Sequence, residues 1–213
     1  ILSIDPLART ATLQPGVSNL AISEAAARYG LYYGPDPSSQ IACTIGGNVA
    51  ENSGGVHCLK YGLTVHNILS LNVFTVAGEE LTIGSMGLDS PGYDLLALFT
   101  GSEGLLGIVT EITVRLLPSP ELAQVVMAGF ESVSAAGEAV GAVIAAGIIP
   151  AGLEMMDRLA IQAAEDFAHA GYPRDAAAIL LCEVDGSREE VAQHCVEVAR
   201  LFDRLGATSL TIS

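Results

Sequence analysis

The stretch that decides the fold is rich in glycine and proline and reads GPDPSSQIACTIGGNVAENSGG at residues 34–55. Pro35 and Pro37 stiffen a polar loop, and the pair Gly46 and Gly47 leads into a short helix-like segment at 48–52. Glycine lets the backbone approach a ligand closely, and amides at a helix start lack partners within the helix. The stretch therefore predicts a loop that wraps a phosphate-bearing or planar polar ligand with backbone donors. On these residues alone, a tight structural crossing between two layers stays open as the alternative.

A second glycine-rich segment, TGSEGLLGIVT at residues 100–110, separates a predicted helix at 93–99 from a predicted strand at 107–117. Gly104 and Gly107 do not form a dinucleotide fingerprint, because that motif follows a strand and opens a helix, whereas this one precedes a strand. The sequence contains no GxxxxGK[ST] phosphate loop. A structural turn and a ligand-binding turn fit this segment equally well.

Hydrophobic periodicity outward from these segments predicts two units of α+β type. In the first, a strand at 10–15 leads through the N-cap Ser18 to a helix ending at Tyr29 and Gly30, and strands at 67–76 and 80–83 form a hairpin. The second unit alternates strands at 123–130, 152–156, 177–184 and 208–212 with helices at 133–146, 158–170 and 188–205. Two prolines in the run LPSPE at 117–121 mark the join. We expect domains at 1–118 and 119–213.

The charge balance excludes whole classes of protein. The net charge is −15, with Lys60 the only lysine, so the chain lacks the basic stripe that a nucleic-acid or anionic-membrane surface requires. No apolar run approaches the ~20 residues of a membrane span. Four cysteines without CxxC spacing predict neither a zinc site nor a disulfide framework, and a cytoplasmic location follows. Because the chain starts at Ile1 and stops in a strand-like run, we expect a fragment lacking both ends.

Several motifs in this order resemble one family. PDPSS at 35–39, TIGGNVAENSGG at 44–55, KYG at 60–62 and GSEGLLGIVTE at 101–111 resemble the PCMH-type FAD-binding domain of FAD-linked oxidases of the vanillyl-alcohol-oxidase family, in the branch of glycolate oxidase FAD subunits. LEMMD at 153–157 resembles the start of that family's C-terminal cap domain. The resemblance implies an α+β fold, the second half of a PCMH-type FAD-binding domain followed by the start of a ferredoxin-like αβ cap.

The resemblance also implies a function, FAD-dependent oxidation of a D-2-hydroxy acid, glycolate first, to the 2-oxo acid. D-Lactate or D-2-hydroxyglutarate as substrate, and a non-catalytic flavin-fold subunit, are the alternatives. Implied partners are an iron–sulfur subunit and a second flavin-fold subunit, through which the protein would associate with a membrane without inserting into it. The chain alone is expected to be catalytically inert and to bind FAD weakly or not at all.

The resemblance implies that backbone amides hold most of the FAD, since the segments that correspond to the family's cofactor site contain almost no basic residue. The implied cofactor-binding residues are Pro35, Asp36, Pro37, Ser38, Thr44, Gly46, Gly47, Asn48, Glu51, Asn52, Ser53, Gly54, Gly55, Glu103, Gly104, Gly107, Ile108 and Val109. The catalytic base and the cation for the substrate carboxylate are not assigned to any residue, and no metal ligands are expected.

Single residues with reactive side chains receive structural interpretations. His57 and His66 lack an acidic partner at ligand spacing and are interpreted as surface or turn histidines. Covalent flavin attachment at Cys43 is disfavoured, and Cys58 is interpreted as a small buried hydrophobe. Asp157 is expected to cap the helix at 158–170, with Glu154 facing solvent or a domain interface.

Overall fold

The computed structural model describes residues 1–85 and 92–213. They form two compact units, residues 1–119 and residues 120–213, each with its own hydrophobic core.

The first unit is built on a five-stranded antiparallel sheet. Its elements are β1 (Ser3–Asp5), β2 (Thr10–Leu13), α1 (Asn19–Ala26), β3 (Leu31–Tyr32), α2 (Ile45–Glu51), α3 (Cys58–Tyr61), α4 (Thr64–Asn67), β4 (Ile68–Thr75), β5 (Glu80–Gly84), α5 (Leu95–Phe99), β6 (Gly107–Arg115) and β7 (Leu117–Pro118). The strand order is β1-β2-β6-β4-β5, and β3 pairs with β7 in a separate two-stranded sheet.

Alternation along the strands decides which face of this sheet is buried. Leu13, Leu71 and Ile112 point to one face and are fully buried, where Ile22 of α1 and Ile45 of α2 belong to the same core. Burial of these side chains supplies the main stabilisation of the unit, because each fully buried Leu or Ile contributes about 1.5–3 kcal/mol. The core therefore fixes α2, and the glycines it carries, relative to the sheet.

Several details of the first unit differ from the sequence prediction. The helix predicted at 48–52 begins at Ile45, so Gly46 and Gly47 lie inside its first turn rather than before it. The strand predicted at 10–15 ends at Leu13, the helix predicted at 93–99 begins at Leu95, and the strand predicted at 107–117 is divided into β6 and β7. Strands β1 and β3 and helices α3 and α4 were not predicted. By contrast, the hairpin of β4 and β5, the helix after Ser18 and the left-handed Gly30 are confirmed.

The second unit is a four-stranded antiparallel sheet with helices on both faces. Its elements are β8 (Leu122–Phe130), α6 (Val133–Ala145), β9 (Gly152–Asp157), α7 (Arg158–Ala168), β10 (Ala178–Gly186), α8 (Arg188–Arg204) and β11 (Ser209–Ile212), with strand order β11-β8-β10-β9. Leu180 packs with α6 and α8, whereas its neighbour Ile179 points to the opposite face and packs with Ile161 of α7. All predicted elements of this unit are confirmed, as is the α+β class.

The residues predicted to cap helices in the second unit do so. Asp157 Oδ1 accepts a hydrogen bond from the Ala160 amide at 2.8 Å. Ser187 caps α8, and the Glu190 side chain returns to the Ser187 amide at 3.0 Å, which completes a capping box. Glu154 is exposed, as expected. Across the two described ranges, no helix has the length and apolarity to cross a membrane.

Candidate functional site

Helix α2 lies at the centre of the candidate site. Thr44 is its N-cap, and the Thr44 hydroxyl accepts a hydrogen bond from the Gly47 amide at 3.2 Å. A Cβ on Gly46 would lie only 2.5 Å from Pro15 Cβ and 3.0 Å from the Pro15 carbonyl oxygen. Glycine at 46 is therefore required by the close approach of the turn that follows β2.

The turn at residues 15–17 also supplies hydrogen-bond acceptors for amides at the start of α2. Ile45 donates to the Val17 carbonyl at 2.8 Å, Gly46 donates to the Pro15 carbonyl at 2.9 Å, and Asn48 donates to the Thr44 carbonyl at 2.9 Å. With Gly47 bonded to Thr44, all four amides at this end have partners within the chain. The prediction that these amides are free to bind an anion is wrong, because residues 15–17 lie across the helix start.

Asn48, a predicted cofactor-binding residue, has its side chain inside the protein. It is 3% exposed and donates from Nδ2 to Asn19 Oδ1 at 2.8 Å. Asn19, 1% exposed, donates from Nδ2 to the Pro35 carbonyl oxygen at 2.9 Å. A buried amide pair thus joins α1 and α2 to the loop at 34–39, and each buried polar group in it has a partner.

The far end of α2 is bonded to the second glycine-rich segment. Gly101 donates to the Val49 carbonyl at 2.8 Å, and Glu103 donates to the Ala50 carbonyl at 2.9 Å. These bonds satisfy carbonyl oxygens that a helix end leaves without partners. The two segments that the sequence singled out, more than forty residues apart, are therefore in direct contact.

A groove lies between α2 and the segment that enters β6. One cavity of about 210 Å³ is lined by Pro15, Gly46, Ala50, Phe99, Ser102, Gly104, Gly107, Ile108 and Val109. A second of about 650 Å³ is lined by Gln14, Pro15, Gly16, Val17, Ile108, Val109 and Thr110. The two cavities share three residues and form what we call the α2–β6 groove. None of the residues that line these two cavities carries a charged side chain.

The groove contains five of the predicted cofactor-binding residues, namely Gly46, Gly104, Gly107, Ile108 and Val109. Sequence reasoning missed the contribution of residues 14–17, Ala50, Phe99, Ser102 and Thr110. The turn QPGV at 14–17 carried a usable signal, since a proline and a glycine between a strand and a helix mark a β-to-α turn where ligands commonly bind.

The other predicted residues lie outside these two cavities, and several build the loops around α2. They are Pro35, Asp36, Pro37, Ser38, Thr44, Gly47, Asn48, Glu51, Asn52, Ser53, Gly54, Gly55 and Glu103. Asn52 Oδ1 accepts from the Val65 amide at 3.0 Å, and the Ser53 carbonyl accepts from the Thr64 hydroxyl at 2.7 Å. A Cβ on Gly55 would overlap the backbone of Asp36. These residues fix chain segments to one another.

His57 has an acidic partner, contrary to the sequence interpretation. Its Nδ1 lies 2.5 Å from Asp36 Oδ2, and its amide donates to Asp36 Oδ1 at 3.2 Å. The pair was missed because the two residues are 21 positions apart and meet only through the packing of Gly55 on Asp36. His66 lies at the surface within the one-turn helix α4, where its Nδ1 accepts a hydrogen bond from the Leu63 amide at 3.0 Å.

The four cysteines, all within the described residues, are free thiols. Cys58 is half-buried, so its interpretation as a buried hydrophobe is wrong, and Cys43 is also half-buried. Burial, and to a smaller extent the nearby Cys195, raise the pKa of the Cys182 thiol to about 12. Burial also raises the pKa of Cys195. A raised pKa lowers the thiolate fraction, so these two side chains act as packing groups.

Comparison with protein families gives two matches, one at each end of the chain. Residues 1–84 match the family model described as "FAD binding domain", and residues 119–213 match that described as "FAD linked oxidases, C-terminal domain".

Curated relatives extend the similarity over the whole chain. It is 64% identical over 213 residues to glycolate oxidase subunit GlcD of Escherichia coli strain K12, covering 100% of this chain and 43% of the relative. The GlcD of Bacillus subtilis strain 168 is 44% identical over 211 residues, which are 99% of this chain and 45% of the relative. A D-lactate dehydrogenase of Anaerostipes hadrus is 33% identical over 206 residues, which are 93% of this chain and 43% of the relative. The chain thus spans less than half the length of these relatives.

A solved structure shares the fold at low sequence identity. Alkyldihydroxyacetonephosphate synthase superposes with a TM-score of 0.82 at 21% identity, covering 99% of this chain and 42% of its own.

Proposed function

Because the chain belongs to the family of FAD-linked oxidases, we propose that it is part of a flavoprotein that oxidises a D-2-hydroxy acid, glycolate first, to the 2-oxo acid. The observation that carries this proposal is the 64% identity to a glycolate oxidase subunit along the whole chain. In this proposal residues 1–118 belong to the FAD-binding domain and residues 119–213 to the cap over the substrate.

The α2–β6 groove is the part of the first unit that suits FAD. Gly46, Gly104 and Gly107 line it, and Ile108 offers an apolar surface that is 71% exposed. Gly104 has φ +77°, a conformation that favours glycine, and a Cβ there would meet nothing within 4 Å. A flat aromatic ring system fits such a glycine-lined, uncharged groove. When bound, FAD would accept the hydride, which carries the two electrons of the oxidation, while the hydroxyl proton of the substrate goes to a base.

The structure limits how the FAD pyrophosphate is held. Because all four amides at the start of α2 are occupied, the pyrophosphate in our proposal does not bind there. The lining of the groove offers no Lys or Arg either. We infer that pyrophosphate binding depends on chain beyond these residues, consistent with relatives more than twice as long.

Partner subunits and location follow as proposals from the same relative. GlcD is named as a subunit, so we propose assembly with further subunits, an iron–sulfur protein and a second flavin-fold subunit among them. Electrons would leave the flavoprotein through the iron–sulfur subunit. A cytoplasmic location, with membrane association only through those partners, fits this arrangement.

D-Lactate is the second candidate substrate, because a D-lactate dehydrogenase is 33% identical over 206 residues. D-2-Hydroxyglutarate and a non-catalytic role are the remaining alternatives. The described residues do not select among the substrates, since no cation and base were found together in the groove for the substrate carboxylate and hydroxyl.

The experiment uses the protein as the cell makes it, purified and dialysed extensively. Its visible flavin absorbance is recorded under anaerobic conditions during titration with glycolate, D-lactate and D-2-hydroxyglutarate, with L-lactate as the control of opposite configuration. We expect glycolate to bleach the flavin band and L-lactate to leave it unchanged. Bound flavin that no D-2-hydroxy acid bleaches would refute the oxidase and favour the non-catalytic subunit.

A parallel measurement tests the 213-residue chain by itself. We expect it to retain little or no FAD after dialysis and to be inactive. Flavin at one equivalent per chain would contradict the view that FAD binding needs residues outside it.

A further inference from the structure

We propose that Asp36 and His57 form a positioning pair that holds the loop at 35–39 against the turn at 54–57, and that FAD affinity depends on this pair through α2. This inference rests on the proposed FAD binding, and it gives both residues a role that differs from direct contact with the cofactor. Neither side chain lines the α2–β6 groove.

One carboxylate holds two groups of the same residue. Asp36 Oδ1 accepts from the His57 amide at 3.2 Å, and Asp36 Oδ2 lies 2.5 Å from His57 Nδ1. An ionised carboxylate only accepts, so the ring donates from Nδ1, and it does so whether the imidazole is neutral or protonated. Both the main chain and the ring orientation of His57 are thereby fixed.

The pair is partly shielded from water, and the turn that carries His57 packs against the backbone of the loop that carries Asp36. The side chains of His57 and Asp36 are 27% and 19% exposed, so water competes only partly for their contact. A Cβ on Gly55 would fall on the Asp36 backbone, which shows that the turn and the loop touch through main-chain atoms. Pro35 and Pro37 on either side of Asp36 restrict the loop further.

A continuous set of contacts leads from the pair to the groove. The Pro35 carbonyl accepts from Asn19, and Asn19 accepts from Asn48 within α2. The same helix carries Gly46 and Ala50, which line the groove. If the loop at 35–39 loses its contact with His57, these hydrogen bonds can transmit the change to α2. The pair can therefore affect FAD binding although neither of its side chains touches the ligand.

The test measures the FAD dissociation constant of the natural protein and its variants. We expect Asp36→Ala and His57→Ala each to weaken FAD binding about tenfold, and the double variant to lose about tenfold rather than a hundredfold, since both remove the same charge-assisted contact. His57→Asn keeps an N–H donor near the place of Nδ1, so it should recover most of the affinity. His194→Ala, in the second unit, is the control and should bind FAD as the wild type does.

A second readout does not depend on flavin. Amide hydrogen exchange at His57 should be faster in Asp36→Ala than in the wild type, because that amide donates to Asp36. This measurement also reveals whether a weakened variant is still folded elsewhere.

Several results would overturn the inference. FAD affinity unchanged in both single variants, losses that multiply in the double variant, or unchanged exchange at His57 would each contradict a shared positioning role. If His57→Asn weakened FAD binding as much as His57→Ala, an N–H donor near the place of Nδ1 would not be enough. That result would contradict the role proposed for the hydrogen bond to Asp36. A wild-type protein without FAD would refute the proposed function as well, whereas FAD-replete protein with insensitive variants refutes only this inference.

Discussion

Alanine at position 46 separates a packing role for this glycine from a ligand-contact role. In Gly46→Ala the new Cβ would lie 2.5 Å from Pro15 Cβ, 3.0 Å from its carbonyl oxygen and 3.1 Å from its Cα. Carbon atoms in ordinary contact are about 3.5–4.0 Å apart, so the overlap is about 1 Å. None of the three atoms can rotate away, because all belong to the backbone or the proline ring.

The expected cost follows from two opposing effects. Replacing glycine by alanine inside a helix normally stabilises by about 1 kcal/mol. Overpacking a filled site costs about 1–3 kcal/mol, and here relief of the overlap would also stretch the 2.9 Å bond from the Gly46 amide to Pro15. We expect the free energy of unfolding of the first unit to fall by about 1–2 kcal/mol.

Urea denaturation followed by tyrosine fluorescence measures this change. The chain has no tryptophan, and five of its six tyrosines, all except Tyr172, lie in the first unit, so the signal reports mainly on that unit. The matched control is Gly137→Ala in α6, where a Cβ meets nothing within 4 Å and we expect a gain of about 0.5–1 kcal/mol, followed by circular dichroism. If Gly46→Ala stabilised its unit as Gly137→Ala does, the close approach to Pro15 would be wrong.

Three further predictions concern single residues. Asn48→Ala should lower the stability of the first unit by about 1–3 kcal/mol, because it leaves Asn19 Oδ1 buried without a donor; an unchanged urea midpoint would contradict this. Ser187→Ala should cost the second unit about 1 kcal/mol by removing the cap of α8, measured by circular dichroism in urea. The raised pKa of Cys182, about 12 against an ordinary 9.0, means that the unfolded thiol loses its proton first. The contribution of Cys182 to the stability of the second unit should therefore be intact below pH 9 and fall toward pH 12 by up to about 1.4 kcal/mol per pH unit. Circular dichroism in urea across this pH range should show a smaller slope in Cys182→Val, with the remainder due to Cys195, whose pKa is also raised.

The second unit could be predicted from the sequence almost completely. Its helices repeat apolar residues at helical spacing and begin at residues with clear capping chemistry, such as Asp157 and Ser187. The short strands of the first unit could not be predicted in the same way. Leu31–Tyr32 has only two residues and pairs with Leu117–Pro118, so tertiary contacts between distant residues create the strand.

Five of the predicted cofactor-binding residues line the α2–β6 groove, but the packing gives two of the predicted glycines a different reason. Gly46 and Gly55 were singled out as places where a ligand approaches, whereas each accommodates another part of the chain, Pro15 and Asp36 respectively. Glycine in such a stretch indicates a close approach to the backbone, but the sequence does not tell whether a ligand or another part of the chain makes that approach. The contact of His57 with Asp36 leaves no periodic signal for the same reason.

We place FAD in the α2–β6 groove, and an experimental structure of the natural protein with FAD bound is the decisive test. We expect cofactor density against Gly46, Gly104 and Gly107, with the pyrophosphate away from the amides at the start of α2. Density for FAD at another place on the first unit, or a pyrophosphate bonded to the amides of residues 45–48, would contradict it.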